Sequence, residues 1–149
     1  LNLMKGLASQ LGLTYIIITH NLNIVGYVAD RVAVMYLGKL IEVGATHQIF
    51  DRHAHPYTMA LLSAVSEPDP LKRLVEKRQL LSGEIPSPRH PPSGCHFPPR
   101  CRFAASRCAQ EAPPLVEIDE GHLAACHYWP AGQAEVLASA ANPQTPDDH

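Results

Sequence analysis

Four cysteines are the residues in this sequence with the clearest capacity for chemistry. They are the chain's only cysteines, with a Cys-x5-Cys-x6-Cys-x17-Cys spacing at Cys95, Cys101, Cys108 and Cys126. This spacing lacks the Cys-x2-Cys knuckles of zinc ribbons. It is compatible with an iron–sulfur cube, whose four ligands lie on separate corners, although such loops also close on one zinc ion. Three histidines stand close enough in sequence to replace a cysteine ligand: His96, His122 and His127.

The residues around the cysteines suit an anionic metal centre. Eleven of the fourteen prolines fall between Pro68 and Pro130, so a sustained hydrophobic core is not expected there. Three arginines alternate with the cysteines, and we expect them to lower the thiol pKa values: Arg100, Arg102 and Arg107. Four aromatic residues are available to shield the site: Phe97, Phe103, Tyr128 and Trp129. The alternative interpretation is a set of unligated buried thiols.

His20 is the second candidate for chemistry, because it follows a continuously apolar segment. Residues 13–19 are rich in β-branched side chains and predict a strand buried on both faces, as in a parallel sheet. Ligands of open α/β sheets bind beyond the carboxyl ends of the strands. A histidine there can direct a ring nitrogen at a phosphate or an attacking water. The plainer interpretation is a histidine that hydrogen-bonds to a loop carbonyl.

The elements that position these residues follow from local patterns. The spacing of Leu3, Leu7 and Leu11 predicts a helix that ends at Gly12. Asn21 is a suitable cap for a short helix, and residues 31–36 predict a second buried strand. Strand, helix and strand together predict a βαβ unit with a right-handed crossover. A hairpin partner at 39–43 and short helices from Thr46 and Pro56 are then expected.

Composition narrows the class of protein. The chain has 149 residues, 46% of them hydrophobic, and a net charge of −2, which gives no reason to expect nucleic-acid binding. The longest apolar stretch is far short of the ~20 residues of a membrane helix. No signal peptide opens the sequence, so reduced cysteines are expected rather than disulfides. The sequence begins at Leu1 inside a helical pattern, so we expect a fragment of a longer protein.

Residues 13–22 and 29–44 closely resemble the last part of the ATP-binding subunit of an ABC transporter. The resemblance rests on the apolar run ending in His20, on Asp30-Arg31 and on Gly38 and Gly44. It implies that His20 is the switch histidine, which contacts the γ-phosphate and helps to position the hydrolytic water. The family usually has aspartate where this chain has Asn21. His55-Pro56-Tyr57-Thr58 resembles the branch that imports oligopeptides and dipeptides, with nickel importers as close relatives.

The cysteine segment resembles the C-terminal extension of the same importer ATPases. The matching residues include Gly83-Glu84-Ile85-Pro86, Arg100-Cys101 and Ala125-Cys126-His127. In members of that family the extension holds a [4Fe–4S] cluster, and all four cysteine positions are filled here. The resemblance therefore favours the cluster over zinc, in a structural or redox-sensing role.

Several motifs of an ABC ATPase are absent from these 149 residues. There is no Gly-x-x-x-x-Gly-Lys-Ser/Thr phosphate loop, no Walker B aspartate with a following glutamate, and no signature motif. ATP and Mg²⁺ would be bound by the parent protein, which the resemblance implies is a peptide-transporting ATPase. We predict that this polypeptide alone neither binds ATP tightly nor hydrolyses it.

The resemblance and the residue patterns together predict an α/β fold with four parts. Residues 1–66 are expected to form the C-terminal part of a P-loop ABC ATPase domain, 67–81 a linker helix, 82–130 a small irregular cysteine-rich extension and 131–149 a disordered tail. The implied function is ATP-driven peptide import at the inner face of the cytoplasmic membrane. The implied partners are a second ATPase subunit, two permease subunits and, indirectly, a peptide-binding protein. The alternative is a metal- or iron–sulfur-binding structural or regulatory module without motor function.

Overall fold

The computed structural model describes residues 1–64, 86–87 and 89–129. The described elements of the first half are α1 (Asn2–Leu11), α2 (Leu22–Val28), β1 (Arg31–Tyr36), β2 (Lys39–Ala45), α3 (Thr46–Asp51) and α4 (Pro56–Ser63). The second half contains a 3₁₀ turn (Pro98–Arg100), α5 (Ser106–Gln110), β3 (Val116–Asp119) and β4 (His122–Ala124). The predicted linker at 67–81 and tail at 131–149 lie outside the described residues.

The strands form one antiparallel sheet in the order β1-β2-β4-β3. β1 and β2 form the predicted hairpin, with Gly38 at a φ of 76° in its turn, a conformation that glycine adopts without strain. β4 pairs with β2 through Glu42 opposite Ala124 and Val43 opposite Leu123. The sheet therefore contains strands from both the hairpin and the cysteine-containing half of the chain.

The predicted strand at 13–19 is wrong for the described structure. These residues form no strand, and all seven are exposed, with Ile16 92% and Ile18 97% accessible. A strand buried on both faces needs a neighbour at each edge and a layer on each face. In the described part of the chain, β1 pairs antiparallel with β2 instead. The expected βαβ unit therefore does not form.

Two other local predictions from the first half are confirmed, and two are corrected in part. α1 ends at Gly12, which adopts the left-handed conformation with a φ of 63°. The Asn21 side chain accepts hydrogen bonds from the backbone N–H groups of Asn23 and Ile24 at 3.1 and 3.3 Å, which caps α2. α3 begins at Thr46, but Thr46 is not its side-chain cap, since its hydroxyl donates to the carbonyl of Ala29. Residues 31–36 form a strand that is buried on alternate positions rather than throughout.

The cysteine-containing half is more regular than the sequence indicated. Residues 82–129 showed no sustained period, yet β3 and β4 form a hairpin with Gly121 at a φ of 65°. Phe97 is 2% exposed and packs in the same core as Val34, Tyr36, Ile41 and Ile49. Three- and four-residue strands are too short to show a period. They gain stability because β3 pairs with β4 and β4 pairs with β2. The cysteine segment therefore shares its core with the hairpin.

No described helix combines the length and the apolar character that crossing a membrane requires.

Candidate functional site

The four cysteines converge on one pocket. All four line it, together with Phe97, Phe103, Tyr128, His55 and His127, and its internal volume is about 10 Å³. Four aromatic residues are predicted to shield the site. Phe97, Phe103 and Tyr128 contribute to the pocket walls, and Trp129 does not line the pocket. Residues separated by up to 31 positions are thus brought together by the fold. The sequence predicted this convergence from the cysteines alone.

Short backbone hydrogen bonds hold the cysteines in place. The N–H of Cys95 donates to the carbonyl of Cys108 at 2.8 Å, which joins the first and third cysteines directly. Gly94 permits this approach, because a Cβ there would lie 2.3 Å from the Cys108 carbonyl oxygen. Cys101 follows the 3₁₀ turn and donates its N–H to Pro98 at 3.1 Å. The N–H of Tyr128 lies 3.4 Å from the Cys126 sulfur, a donor directed at the fourth thiol.

The cysteine pocket is small for a bound metal group. Among the described residues, no group of three or more His, Cys, Asp or Glu side chains is arranged to hold a metal ion. The pocket volume of about 10 Å³ corresponds to roughly one water position, so a cube would require its walls to move. Four cysteine thiols around one apolar pocket are the right type of ligand for a metal or cluster that thiolates bind. The arrangement as folded does not by itself support zinc or an iron–sulfur cluster.

The thiols are not activated as the sequence predicted. Burial raises the pKa of the Cys95 and Cys101 thiols, and it raises the pKa of Cys126 to about 11. Arg102 opposes this effect at Cys101 only as a lesser influence. Arg107 instead forms an exposed ion pair with Glu111 at 3.3 Å. Arg102 lowers the pKa of Cys101 as expected, but removal of the sulfurs from water outweighs its charge, so the thiol pKa values of Cys95, Cys101 and Cys126 are raised overall.

The three neighbouring histidines have separate surroundings. His127 lines the pocket, and its Nε2 lies 3.0 Å from the carbonyl of Glu111. His96 lines a different cavity, and its buried Nδ1 has no hydrogen-bond partner among the described residues. His122 is 1% exposed and contacts Glu42 rather than the cysteine pocket. His127 is thus the one of the three histidines that lines the cysteine pocket.

A buried carboxylate, which the sequence analysis missed, joins three segments of the chain. Glu42 in β2 is fully buried. Its Oε1 accepts hydrogen bonds from the Ala54 N–H at 2.6 Å and from His122 Nε2 at 2.9 Å, and its Oε2 accepts from the His55 N–H at 3.0 Å. Buried carboxylates are rare unless their oxygens are satisfied in this way. Glu42 therefore ties the hairpin to the loop before α4 and to β4.

His55 connects this network to the cysteine pocket. Its backbone is held by Glu42, its ring lines the pocket, and its Nδ1 accepts a hydrogen bond from the Tyr57 N–H at 3.0 Å. That bond caps α4 and requires an unprotonated Nδ1. Burial lowers the pKa of His55 to about 4, so the ring is neutral near pH 7. The His-Pro-Tyr motif was the signal for this position, although it did not reveal the helix cap.

His20 lies apart from these groups. It is exposed, in the bend between residues 13–19 and α2. The neighbouring Asn21 N–H donates to the Thr19 hydroxyl at 3.0 Å, which fixes the bend locally. The described structure therefore places His20 where an external group has access to it.

The chain is similar to known transport proteins. The family described as oligopeptide/dipeptide transporter, C-terminal region, matches residues 41–108. The dipeptide transport ATP-binding protein DppF of Haemophilus influenzae is 48% identical over 128 residues, covering 86% of this chain and 38% of that protein. A probable peptide ABC transporter ATP-binding protein of Sinorhizobium fredii is 45% identical over 150 residues, covering 97% of this chain and 42% of that protein. The chain thus spans about two fifths of the length of these curated relatives.

Proposed function

Because this chain belongs to the peptide-importing family of ABC transporter ATP-binding proteins, we propose that it serves in ATP-driven peptide uptake. The observation that carries the proposal is 48% identity, over 86% of the chain, to a dipeptide transport ATP-binding protein. The hairpin, the His-Pro-Tyr helix start and the cysteine segment all lie within this similarity.

Within the proposed function, His20 is the residue that we assign to catalysis. The resemblance gives it the role of the switch histidine, and its exposed position leaves it open to a nucleotide held by other elements. Its imidazole would orient the attacking water and contact the γ-phosphate, which is positioning and electrostatic work. These 149 residues contain no phosphate loop or Walker B pair. We therefore assign ATP and Mg²⁺ binding to further sequence of the parent protein.

The proposed partners follow from the same family. They are a second ATP-binding subunit, two membrane permease subunits and a peptide-binding protein that delivers the substrate. The proposed location is the cytoplasmic face of the membrane, as a peripheral subunit. The domain limits predicted at 66, 81 and 130 stay proposals.

The test of this function is reconstitution of the parent protein with its permease subunits in vesicles. We expect uptake of a labelled dipeptide that depends on ATP, on the binding protein and on the parent protein. Purified chain of 149 residues should release no phosphate from Mg·ATP. Uptake that continues when the parent protein is omitted would contradict the proposal.

For the cysteine pocket, the proposed ligand is a [4Fe–4S] cluster, with zinc as the alternative. Its ligands would be Cys95, Cys101, Cys108 and Cys126. The proposal is based on the resemblance of this segment to the extension of importer ATPases, and the pocket walls would have to move to admit the cluster. Such a cluster would supply a cross-link among these loops or a response to redox conditions. Cysteine thiols that bind a cluster must lose their protons. The raised pKa of Cys126 therefore makes cluster binding more favourable at higher pH.

Anaerobic purification tests the cluster proposal. Brown protein containing iron and sulfide, with absorption bleached by dithionite, is the expected result. Cys108→Ser should lose the colour, whereas Ser106→Ala on the same helix should keep it. Colourless protein without iron would overturn the cluster, and stoichiometric zinc would assign the alternative.

A further inference from the structure

Two of the four cysteines are held together by the backbone. The N–H of Cys95 donates to the carbonyl of Cys108 at 2.8 Å, and the neighbouring Ser93 hydroxyl donates to the carbonyl of Ala109 at 3.3 Å. Gly94 lies between these contacts, where a Cβ would be 2.3 Å from the Cys108 carbonyl oxygen. Among the four cysteines, all of which the structure describes, no other pair is joined directly by a backbone hydrogen bond. The first and third cysteines therefore lie on two chain segments in direct contact.

The spacing of this pair suits a covalent bond between the two side chains. In antiparallel strands, two residues that share backbone hydrogen bonds have Cα atoms about 5.5 Å apart. Disulfides span Cα separations of about 4.4–6.8 Å, so the hydrogen bond between Cys95 and Cys108 places them within bonding range. Both side chains line the same pocket, which directs the two sulfurs into one space rather than apart. The pair can thus be joined with little movement of the backbone.

The size of the pocket favours a small oxidant. Its volume of about 10 Å³ corresponds to roughly one water position, which is close in size to hydrogen peroxide and far smaller than glutathione disulfide. Within this pair, Cys95 is partly exposed, whereas Cys108 is 7% exposed. A peroxide therefore reaches the sulfur of Cys95 before that of Cys108.

We propose that Cys95 and Cys108 form a reversible disulfide when hydrogen peroxide oxidises the pocket while no metal is bound. The Cys95 sulfur attacks one peroxide oxygen, the O–O bond breaks, and hydroxide leaves with the thiol proton as water, which gives a sulfenic acid. The Cys108 sulfur then attacks the Cys95 sulfur, so that the S–S bond forms, the S–O bond breaks and a second water leaves with the second thiol proton. In total, two thiols and one peroxide give one disulfide and two waters.

This disulfide and the proposed cluster exclude each other, because both need the sulfurs of Cys95 and Cys108. Oxidation would therefore close the pocket to a metal until the disulfide is reduced. The disulfide itself requires neither the cluster nor peptide import. The cluster is identified by iron and colour, whereas the disulfide is identified by the masses of peptides, so failure of one proposal is distinct from failure of the other.

Peptide mapping of the full 149-residue chain tests the disulfide. The chain is purified under reduction with a chelator, shown to hold no iron or zinc, and treated with equimolar hydrogen peroxide. Free thiols are then alkylated, and cleavage after arginine and glutamate separates all four cysteines, because Arg100, Arg107 and Glu111 lie between them. We expect a Cys95–Cys108 disulfide at least about tenfold more abundant than any other pairing, since proximity raises its rate of formation. The same chain unfolded in urea should lose this preference.

A glycine pair tests whether the backbone contact directs the pairing. Gly94→Ala places a Cβ against the Cys108 carbonyl and should lower the disulfide yield by at least about fivefold. Gly6→Ala in α1, where a Cβ meets nothing within 4 Å, is the matched control and should oxidise as the unsubstituted chain does.

Two cysteine variants test the order of the steps. Cys108→Ser should leave a sulfenic acid at Cys95 that dimedone traps, and Cys126→Ser should keep the Cys95–Cys108 disulfide. The proposal is overturned by a different dominant disulfide in the folded chain, by a distribution equal to that of the urea-unfolded chain, or by sulfinic acid without any disulfide. An unchanged yield in Gly94→Ala would overturn it as well.

Discussion

Residues 1–30 and the described residues between 31 and 129 differ in what surrounds their apolar side chains. In the first region no residue is buried, although α1 and residues 13–19 carry many leucines and isoleucines. In the second region, hairpin, α3, α4 and cysteine segment enclose a core around Ile49 and Phe97. Ile18 is 97% exposed and Ile49 is 2% exposed. Apolar sequence therefore creates a core only where other elements cover it.

The largest expected loss of stability in this comparison comes from Glu42→Gln in the second region. A glutamine has one acceptor oxygen and a donor amide, so it cannot accept from Ala54, His55 and His122 together. We expect unfolding free energy to fall by about 3–5 kcal/mol, as when one partner of a buried pair is removed. Urea unfolding followed by Trp129, the only tryptophan, measures this. Glu111→Gln, which alters an exposed ion pair, should change stability by less than about 1 kcal/mol.

A matched isoleucine pair compares the two regions directly. Ile49→Ala should destabilise the chain by about 2–5 kcal/mol, because it leaves a cavity in the core. Ile18→Ala should change stability by no more than about 0.5 kcal/mol, as expected at an exposed position. The same urea titration measures both. Comparable losses in the two variants would show that residues 13–19 are packed after all.

Acid should weaken the second region through His55. Its folded pKa of about 4 lies below the usual 6.5, so the unfolded chain takes up the proton first. The stability present above pH 6.5 is therefore lost as the pH falls toward 4, by on the order of 3 kcal/mol. His53, whose pKa is also lowered by burial, acts in the same direction.

Stability measured against pH checks this assignment. Asparagine accepts a helix-capping hydrogen bond without titrating, so His55→Asn should flatten the pH dependence. His20→Asn changes an exposed histidine and should leave the slope unchanged. A slope that survives His55→Asn would assign the acid sensitivity to other groups.

The smallest effect on stability, with a separate effect on association, is expected from Ile16→Lys combined with Ile18→Lys. These exposed side chains offer an apolar surface for contacts between copies, so the parent chain should associate. Light scattering should show less association in the double variant, with an unchanged urea midpoint. If the 149-residue chain without substitutions were monomeric at every concentration, this prediction would be contradicted.

Local signals in the sequence predicted local structure well. Gly12, Asn21, Gly38 and Pro56 identify helix ends and the hairpin turn, because each acts through neighbouring residues. The convergence of the cysteines was also predicted, since four cysteines can bind one metal or cluster only if they lie close together.

Long-range structure was not predictable in the same way. β4 is three residues long and depends on pairing with β2, and Glu42 shows its role only when Ala54, His55 and His122 are brought to it. The strand predicted at residues 13–19 is the opposite case, a predicted element that does not form. Its strand-like composition has no covering partner in the described structure. The raised thiol pKa values likewise depend on burial, which cannot be inferred from the positions of the arginines in the sequence.

The most direct test of the proposed function is ATP hydrolysis by the parent protein, assembled with its permease subunits and carrying His20→Ala. We predict that nucleotide binding is retained while peptide-dependent phosphate release falls by at least about 100-fold, as expected for loss of a group that stabilises the transition state. Asn21→Ala in the same assembly, which affects the helix cap, should retain most of the activity. Hydrolysis at the parental rate in the His20 variant would contradict the account.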